Sequence, residues 1–239
     1  MRLKNNKNLQ QKIIPTKEHL RFAVLATDIA LFTIHNNNLL VRLISIDRPP
    51  YFVNREGLPG GLVRPEETAE EAVSRILVDK TGISSQEVYI EQLYTFSKVD
   101  RDPRGRVVSV AYLALVPWNS LNQEEKGEES GSRWALAAKM KGLAYDHDEV
   151  LTVALARLRM RVTYTTLLAK LMPKEFTLTD LEEAYEIVVG RSIDKRNFRK
   201  KINKLNILKE LPYKREGGHH RPARLYRFTS KKLIIAEVL

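Results

Sequence analysis

A set of acidic side chains in the first third of the chain has the spacing to hold a divalent cation. Gly61 and Gly82 bound a segment that carries Glu67, Arg75 and Asp79. Carboxylates three or four residues apart lie on the same face of a helix, and hard cations such as Mg²⁺ require several oxygen ligands. A cation held in this way could polarise a diphosphate for hydrolysis, so the segment is the first candidate for phosphate chemistry.

Two residues on that helical face weigh against hydrolysis. Ile76 offers no ligand atom, and Lys80 places a positive charge where a cation would sit. Asp79 by itself is a weak set of ligands, and Glu71 lies in the first turn, where acidic residues commonly complement the helix dipole. We therefore predict no catalytic residue and no metal site. A hydrolase that uses Glu67, Glu71 and Asp79 is the open alternative.

The parts of the segment that shape a cleft are retained. Gly60 and Gly61 present backbone without side chains, which suits close approach by a phosphate or a sugar. Arg75 is expected to pair with Glu67 and to fix the loop on the helix. The pattern therefore favours a cleft that binds a ligand without cutting it.

The apolar residues predict strands on both sides of this helix, and hence a layered α/β (α+β) domain. Thr68 and Glu71 form a capping box at the helix start, and Gly82 suits a left-handed cap at its end. Residues 119–132 are polar and without periodicity, which predicts a surface loop. A long helical stretch follows over residues 149–170, as one helix or as two. The strands are expected over residues 22–33, 38–46, 88–96 and 107–116.

The composition excludes several classes of protein. No apolar run is long enough to span a bilayer, and no apolar segment follows the basic N-terminus as a signal peptide requires. The chain has no cysteine, which excludes disulfides and thiolate metal sites. His147 has no evident ligand neighbours, so we expect it to pack or to begin a helix. We predict a cytoplasmic, nucleoid-associated protein with no membrane partner.

Positive charge is concentrated near the C-terminus. The segment 191–232 holds 15 Lys and Arg against 3 Asp and Glu, a net charge of +12, whereas the whole chain carries +11. A single basic block with helical and strand patterns indicates a polyanionic partner. Two helices, a basic helix and a two-stranded hairpin follow one another in the order typical of a winged helix-turn-helix. We therefore predict binding to double-stranded DNA.

The candidate DNA contacts lie on the third helix of this module and on its hairpin. We expect Thr179 and Glu182 to cap the preceding helix and Ser192 to cap the third one. Phe198 and Ile202 should point inward, which leaves the polar face for DNA. Arg and Asn can read base edges, whereas Lys mostly contacts phosphate. The expected contacts are Lys195, Arg196, Asn197, Arg199, Lys200 and Asn203 on the helix, and Lys214, Arg215, His219, His220, Arg221 and Arg224 on the hairpin.

Four longer stretches carry a family resemblance. They are LPGGLV (58–63), EQLYTFSKVDRDPRGRVVSVAYLAL (91–115), GLAYDHDEVL (142–151) and FTLTDLEEAYEIVVGRSIDKRNFRKKI (176–202). They resemble the Nudix-related transcriptional regulators, also called NrtR-type repressors. The acidic segment is similar to a Nudix box, G-x5-E-x7-R-E-U-x-E-E-x-G-U, but the three glutamates after its arginine are Ile76, Asp79 and Lys80 here. The remnants of the box are Gly61, Glu67, Arg75, Asp79 and Gly82.

The resemblance implies a Nudix sandwich that senses a small molecule (residues 1–145), a linking helix (146–165) and a C-terminal winged helix-turn-helix domain (166–239). It also implies a homodimer that binds operator DNA as a probable repressor, with an ADP-ribose-like nucleotide or a pentose as effector and no required cofactor. Carried over by position, the recognition helix is Ser192–Asn206, and the ligand-binding residues are Arg48, Gly60, Gly61, Tyr94, Phe96 and Arg101.

The chain departs from the family in two places near the expected cleft. Asn54-Arg55-Glu56 stands where members often have a Trp-containing turn, and the loop 119–132 is unusually acidic. Both departures bear on the identity of the ligand. Two other functions stay open: an active ADP-ribose-type pyrophosphohydrolase with an accessory nucleic-acid-binding domain, and a DNA-binding protein whose Nudix domain only dimerises.

Overall fold

The computed structural model describes residues 22–127, 131–215 and 223–239. Three of the expected DNA contacts, His219, His220 and Arg221, lie outside the described residues. Within these ranges the chain forms a mixed sheet flanked by helices, followed by a helical module with a small two-stranded sheet. The expected layered domain followed by a winged helix-turn-helix is therefore confirmed.

Seven strands form the larger sheet: β1 (Val24–His35), β2 (Asn38–Arg48), β3 (Phe52–Gly57), β4 (Gly60–Leu62), β5 (Tyr89–Phe96), β6 (Val107–Leu115) and β7 (Ser132–Leu136). Their order is β3-β2-β1-β6-β5, with β4 paired to β1 and β7 paired to β2. Strands β1 and β6 run parallel, and the other pairs are antiparallel. The sheet thus places the glycine strand β4 beside the first half of β1, at Ala26–Asp28.

The four strands expected from the sequence are confirmed as β1, β2, β5 and β6. Strands β3, β4 and β7 were not expected, because they are short and lack a clear alternation of apolar and polar residues. The segment 119–132 was expected to be a loop, and that expectation was wrong in part. It contains the short helix α2 (Gln123–Lys126) and the first residue of β7.

The helix of the Nudix-box segment, α1 (Ala69–Thr81), has the ends that the sequence predicts. The Thr68 side chain accepts a hydrogen bond from the Glu71 amide, and the Glu71 side chain accepts one from the Thr68 amide, which completes the capping box. Gly82 ends the helix with φ of 73°, a left-handed conformation that favours glycine. Both local signals are therefore confirmed.

From His147 onwards, the described residues form four helical segments and one hairpin. They are α3 (His147–Tyr164), a 3-10 helix (Thr166–Lys170), α4 (Leu178–Val189), α5 (Lys195–Leu205), and the hairpin of β8 (Leu208–Arg215) and β9 (Ala223–Phe228). The break after Tyr164 confirms that the helical stretch predicted over 149–170 is divided in two.

Two of the expected helix caps were wrong. Helix α4 is capped by Thr177 with Asp180, not by Thr179 with Glu182, because Glu182 is turned into the core and is fully buried. Helix α5 is capped by Asp194, whose carboxylate accepts a hydrogen bond from the Asn197 amide, rather than by Ser192. Both errors shift a helix start by two residues without changing which residues face inward.

The apolar core consists of two clusters separated by the sheet. The smaller cluster lies under α1 and includes Ile29 and Ile76. The larger cluster runs from Phe32 in β1 through Leu158 in α3 to Tyr185 in α4. The winged-helix module therefore shares an apolar core with the sheet and is not joined to it by a linker alone. No helix in the described part of the chain is long and apolar enough to cross a membrane.

The shared core predicts that the two modules unfold together. Leu158→Ala should lower the free energy of unfolding by about 2–5 kcal/mol, because it removes a fully buried side chain from the helix that both modules contact. The fluorescence of Trp118 and Trp134 reports on the sheet domain, and far-UV circular dichroism reports on the helices of both modules. The unfolding midpoints measured with the two probes should shift together in a denaturant titration.

Met160→Ala is the matched control, since Met160 lies on the same helix with 51% of its surface exposed. It should change the stability by no more than about 0.5 kcal/mol. Separate transitions for the two probes would contradict a common core.

Candidate effector cleft and DNA-binding face

A cleft of about 300 Å³ opens beside strand β4. Four of the six predicted ligand-binding residues line it: Arg48, Gly60, Gly61 and Arg101. Asp102 and Arg104, from the same loop as Arg101, also line it. The lining further includes residues that the sequence reasoning did not select, among them Asp28, Lys80, Tyr145 and His147. The cleft is therefore built by β1, β2, β4, the end of α1, the loop before β6 and the start of α3.

Tyr94 and Phe96 do not line this cleft. Phe96 is buried in the larger core, and Tyr94 is 59% exposed with its ring 5.2 Å from that of Phe96. Both residues lie on β5, the edge strand, which β6 separates from the cleft-lining strand β1. The two aromatic residues that were expected in the cleft therefore lie outside it.

The floor of the cleft is a buried cluster of charged side chains. Arg101 donates to Asp28 through Nη2 (2.8 Å) and to Asp146 through Nε (2.8 Å) and Nη2 (2.6 Å). Their side chains are at most 10% exposed. Because Asp28 lies on β1 and Asp146 immediately precedes α3, this one guanidinium ties the sheet to the start of that helix.

His147 completes the cluster through both of its ring nitrogens. Its Nδ1 accepts a hydrogen bond from the Leu58 amide (2.9 Å), so the ring proton is on Nε2, which donates to Asp28 (3.2 Å). Burial alone would raise the pKa of the Asp28 carboxyl. The electrostatic interaction and hydrogen bond with His147, and then the charge of Arg101, outweigh burial and hold that pKa well below its usual range. The expected packing role of His147 at a helix start is therefore confirmed, with an acidic partner that the sequence did not reveal.

The cluster also explains the glycines that surround the cleft. A Cβ on Gly57 would lie 2.7 Å from His147 Nδ1, and a Cβ on Gly60 would collide with Asp28 Oδ1 and approach the Thr27 carbonyl to 3.0 Å. These two glycines are thus required by the buried polar groups behind them. One signal could have indicated the cluster: Asp28 is a lone acid within an apolar strand, and such a residue requires a partner.

The wall of the cleft carries four cationic side chains in two different states. Arg101 is neutralised in the buried cluster, and Arg104 donates to Asp102 through Nε (2.9 Å) and Nη2 (2.7 Å). Arg48 and Lys80 form no ion pair with any carboxylate among the residues described. These two cations are available to an anionic ligand.

Helix α1 does not present a set of carboxylates to the cleft. Arg75 donates to Glu67 through Nε (2.9 Å), as predicted, and this bond together with the Arg64 amide lowers the pKa of Glu67 to about 2. Glu70 accepts a hydrogen bond from the Tyr112 hydroxyl at 3.0 Å. Asp79 lies 3.7 Å from Arg75. Each of these acids is therefore held by another side chain of the protein.

The remaining positions of the box have been converted to other uses. Ile76 is buried in the smaller core, and its Cδ1 lies 3.3 Å from where a Cβ of Gly61 would be. Ligand atoms close enough to share a cation occur at Asp28, Asp146 and His147 among the described residues, but the Arg101 guanidinium is bonded to both of those carboxylates. A metal ion at this position would have to displace the Arg101 guanidinium from Asp28 and Asp146.

Helix α5 presents a basic face, with one exception among the predicted contacts. Arg199 donates two hydrogen bonds to Glu182, whose side chain is 1% exposed, and this pair docks α5 on α4. The guanidinium thus holds α5 on α4 while 47% of the Arg199 side chain remains exposed. The other predicted residues of the helix are exposed as well, namely Lys195, Arg196, Asn197, Lys200 and Asn203.

On the hairpin, the predicted contacts differ in how strongly they are held. Lys214 is exposed, whereas Arg215 pairs with Asp180 (2.8 Å) and Arg224 pairs with Glu210 (2.8 Å). Both pairs are largely solvent-exposed, and such pairs contribute little to stability. They therefore leave Arg215 and Arg224 available to exchange their carboxylates for phosphates.

Helix α3 connects the cleft with the DNA-binding module. Its first residue is His147, and near its other end Arg159 Nε donates to the Val188 carbonyl in the last turn of α4 (3.3 Å). The residues that follow α3 are fixed as well, since Thr166 and Tyr164 exchange hydrogen bonds with the C-terminal residues Ile234 and Ala236. The start of α3 is thus bonded to the cleft, and its other end is bonded to the winged-helix module.

Comparison with known proteins matches each part of this architecture. Residues 24–154 match the model of the NUDIX domain, and residues 168–228 match the model of the NrtR DNA-binding winged helix domain. This chain belongs to the NrtR family of Nudix-related transcriptional regulators. A curated relative from Acinetobacter baylyi, the ADPR responsive transcriptional repressor NtrR, is 35% identical over 208 residues, which cover 86% of this chain and 82% of the relative.

Two crystal structures of NrtR from Shewanella oneidensis are similar to this NrtR-family chain. The complex with a 27mer DNA has a TM-score of 0.75 at 32% identity and covers 86% of this chain and 93% of the other. The NUDIX domain in complex with ADP ribose has a TM-score of 0.51 at 32% identity and covers 63% of this chain and 98% of the other.

The glycine turn of this NrtR-family chain allows a paired test of the cleft geometry. Gly60→Ala should lower the free energy of unfolding by about 1–3 kcal/mol, because its Cβ would collide with the buried Asp28 carboxylate. Gly61→Ala should cost less, since its Cβ would meet only the movable end of Ile76. Thermal unfolding of the two variants measures the difference. Equal effects would mean that the Asp28 cluster does not constrain this turn.

The Arg199–Glu182 pair predicts a separation of structural and binding roles on α5. Arg199→Ala should lower the free energy of unfolding by about 1–3 kcal/mol, because the buried Glu182 carboxylate would lose its partner. Arg196→Ala, at an exposed position on the same helix, should change it by less than about 0.5 kcal/mol. Denaturant titration measures both. An Arg199→Ala variant as stable as Arg196→Ala would return Arg199 to the set of candidate base-reading residues.

Proposed function

We propose that this chain is an ADP-ribose-responsive transcriptional repressor that binds operator DNA as a homodimer. Helix α5 and the β8–β9 hairpin contact the DNA, and the cleft beside β4 takes the effector. The Nudix domain senses the nucleotide and does not hydrolyse it. The chain therefore acts with the nucleoid.

One observation carries this proposal: a single helix is bonded at one end to the cleft and at the other to the winged helix. Helix α3 has 18 residues, about 27 Å of helix. Arg101 bonds Asp146 at its start, and Arg159 bonds the end of α4 near its other end. A ligand that alters the first contact has a rigid connection through which to alter the second.

The charge of the cleft favours ADP-ribose over a pentose. Arg48 and Lys80 are cations without a carboxylate partner in the described chain, and a diphosphate complements them. A neutral pentose would leave both charges unused. The relative from Acinetobacter baylyi is named as ADPR responsive, and the NUDIX domain of Shewanella oneidensis NrtR was crystallised with ADP ribose.

The basic face of α5 supports recognition of duplex DNA. Arg196 and Asn203 have side chains that can pair with base edges in the major groove, while Lys195 and Lys200 suit phosphates. A homodimer would present two such helices about 34 Å apart, one turn of DNA, to a pseudo-palindromic operator. Arg199 supports this arrangement by fixing α5 on α4 rather than by touching a base.

ADP-ribose can release the operator only if it binds the DNA-free arrangement more tightly than the DNA-bound one. The cleft offers a physical basis for this difference in affinity. The ligand would compete with Asp146 for the charge of Arg101 and so change the contacts that position the start of α3. We therefore expect the effector to weaken DNA binding.

A gel-shift assay tests the proposal. A duplex enriched from a random library by the full chain should be retarded, and ADP-ribose should reduce that affinity about tenfold or more, which corresponds to about 1.4 kcal/mol of coupling. Arabinose should have no effect. Arg196→Ala should weaken binding by about 1–3 kcal/mol if the side chain reads a base, whereas Lys139→Ala, outside the cleft and α5, should not.

The outcomes separate the two halves of the proposal. Failure to enrich any specific duplex would defeat the DNA-binding half, and retardation that is insensitive to ADP-ribose would defeat the effector half. A parallel incubation of ADP-ribose with Mg²⁺ should yield no AMP. Release of AMP that Glu67→Gln abolishes would instead favour the pyrophosphohydrolase.

A further inference from the structure

The Nudix fold implies a divalent cation on the helix of the box, and the residues of this chain do not fit one. Glu67 is bonded to Arg75, Glu70 to the Tyr112 hydroxyl, and Glu71 to the backbone of the helix cap. Ile76 is buried in the core. A cation that depends on carboxylates from this helix therefore has no ligand set directed at the cleft.

Lys80 occupies the cleft in place of one of those ligands. It lies in the last turn of α1 and lines the cleft together with Gly60, Gly61 and Arg48. Its neighbour Asp79 is turned towards Arg75, at 3.7 Å. In the described part of the chain no carboxylate lies within ion-pair distance of Lys80, so its charge is not already neutralised by the protein.

We propose that Lys80 takes the place of the metal ion and, with Arg48, binds the diphosphate of the effector directly. Recognition then requires no divalent cation. The inference rests on the proposed function for the identity of the effector, but the chemistry it names is the diphosphate alone. An ammonium group supplies three N–H donors and a fixed positive charge.

The exchange of carboxylate for ammonium has two consequences. A set of box glutamates without its metal would repel a diphosphate, whereas Lys80 attracts one at any concentration of divalent cation. An ammonium group also cannot lower the pKa of a bound water as a metal ion does. The same substitution therefore favours retention of the diphosphate over its hydrolysis, which is what a sensor requires.

Calorimetric titration of the full chain with ADP-ribose, ADP and inorganic pyrophosphate tests the inference. The affinity for ADP-ribose in excess EDTA and in excess Mg²⁺ should agree within about twofold, and ADP and pyrophosphate, which themselves chelate Mg²⁺, are titrated in EDTA only. Lys80→Gln should weaken binding about tenfold or more in both conditions, as loss of a charge-assisted contact of about 1.4 kcal/mol or more predicts. Lys80→Arg should retain most of the affinity, and Lys139→Gln, an exposed lysine outside the cleft, should retain all of it.

Lys80→Glu is the decisive variant, because it restores an acid at a box position and reverses the charge beside the diphosphate. It should lose binding in EDTA and should not recover it with Mg²⁺ or Mn²⁺, because the other acids of the box are bonded within the protein and one carboxylate is a weak set of ligands. Thermal unfolding of each variant checks that α1 remains folded. Wild-type binding that requires Mg²⁺, or binding that Lys80→Gln leaves unchanged, would overturn the inference.

The probes distinguish this failure from failure of the proposed function. Binding of pyrophosphate or ADP through Lys80 without binding of ADP-ribose would uphold the diphosphate site and reject the effector. Binding of ADP-ribose that is unchanged in the Lys80 variants would uphold the effector and reject the diphosphate site at Lys80. No binding of any probe would reject both.

Discussion

The buried contact between Arg101, Asp28 and Asp146 is the interaction on which the cleft and its connection to the DNA-binding module depend. It joins the central strand, the loop before β6 and the start of α3. His147 extends the cluster to the Leu58 amide, so the glycine turn is held as well. Removing one partner of a buried charge cluster leaves the others unpaired in a medium of low polarity, which is strongly destabilising. The same cluster that shapes the floor of the cleft therefore fixes the helix that leads to the winged helix.

In the Nudix-box helix, the residues that shape the element are distinct from those that would bind a metal. Its cap at Thr68, its end at Gly82 and the Arg75–Glu67 bond keep the loop and helix in register. The positions that would direct carboxylates at a substrate now carry an apolar core residue and a cation. Structure and chemistry are thus separable in this motif, because the residues that fold it are not the residues that would bind a metal.

A similar division of roles is found among the arginines of the DNA-binding module. Arg199 forms an ion pair with the buried Glu182, while Arg196 on the same helix is exposed. Net charge alone does not distinguish them, since both contribute equally to the basic block. What distinguishes them is a partner within the protein: Arg199 bonds Glu182 on α4, whereas Arg196 forms no ion pair among the described residues. The attachment of α5 to α4 thus uses one of the arginines that make this helix basic.

The sequence by itself determined the features that depend on short separations. The four long strands, the caps of α1, the Arg75–Glu67 pair eight residues apart, the family and the order of the winged-helix elements follow from periodicity and motif. The tertiary structure decided what depends on distant residues: Asp28 meets Arg101 across 73 positions, and Arg199 meets Glu182 across two helices. It also removed Tyr94 and Phe96 from the cleft, because they lie on the edge strand β5. Local signals specify an element and its register, but which side chains share a cavity is set by how strands are ordered in a sheet, and that order is not encoded in any single segment.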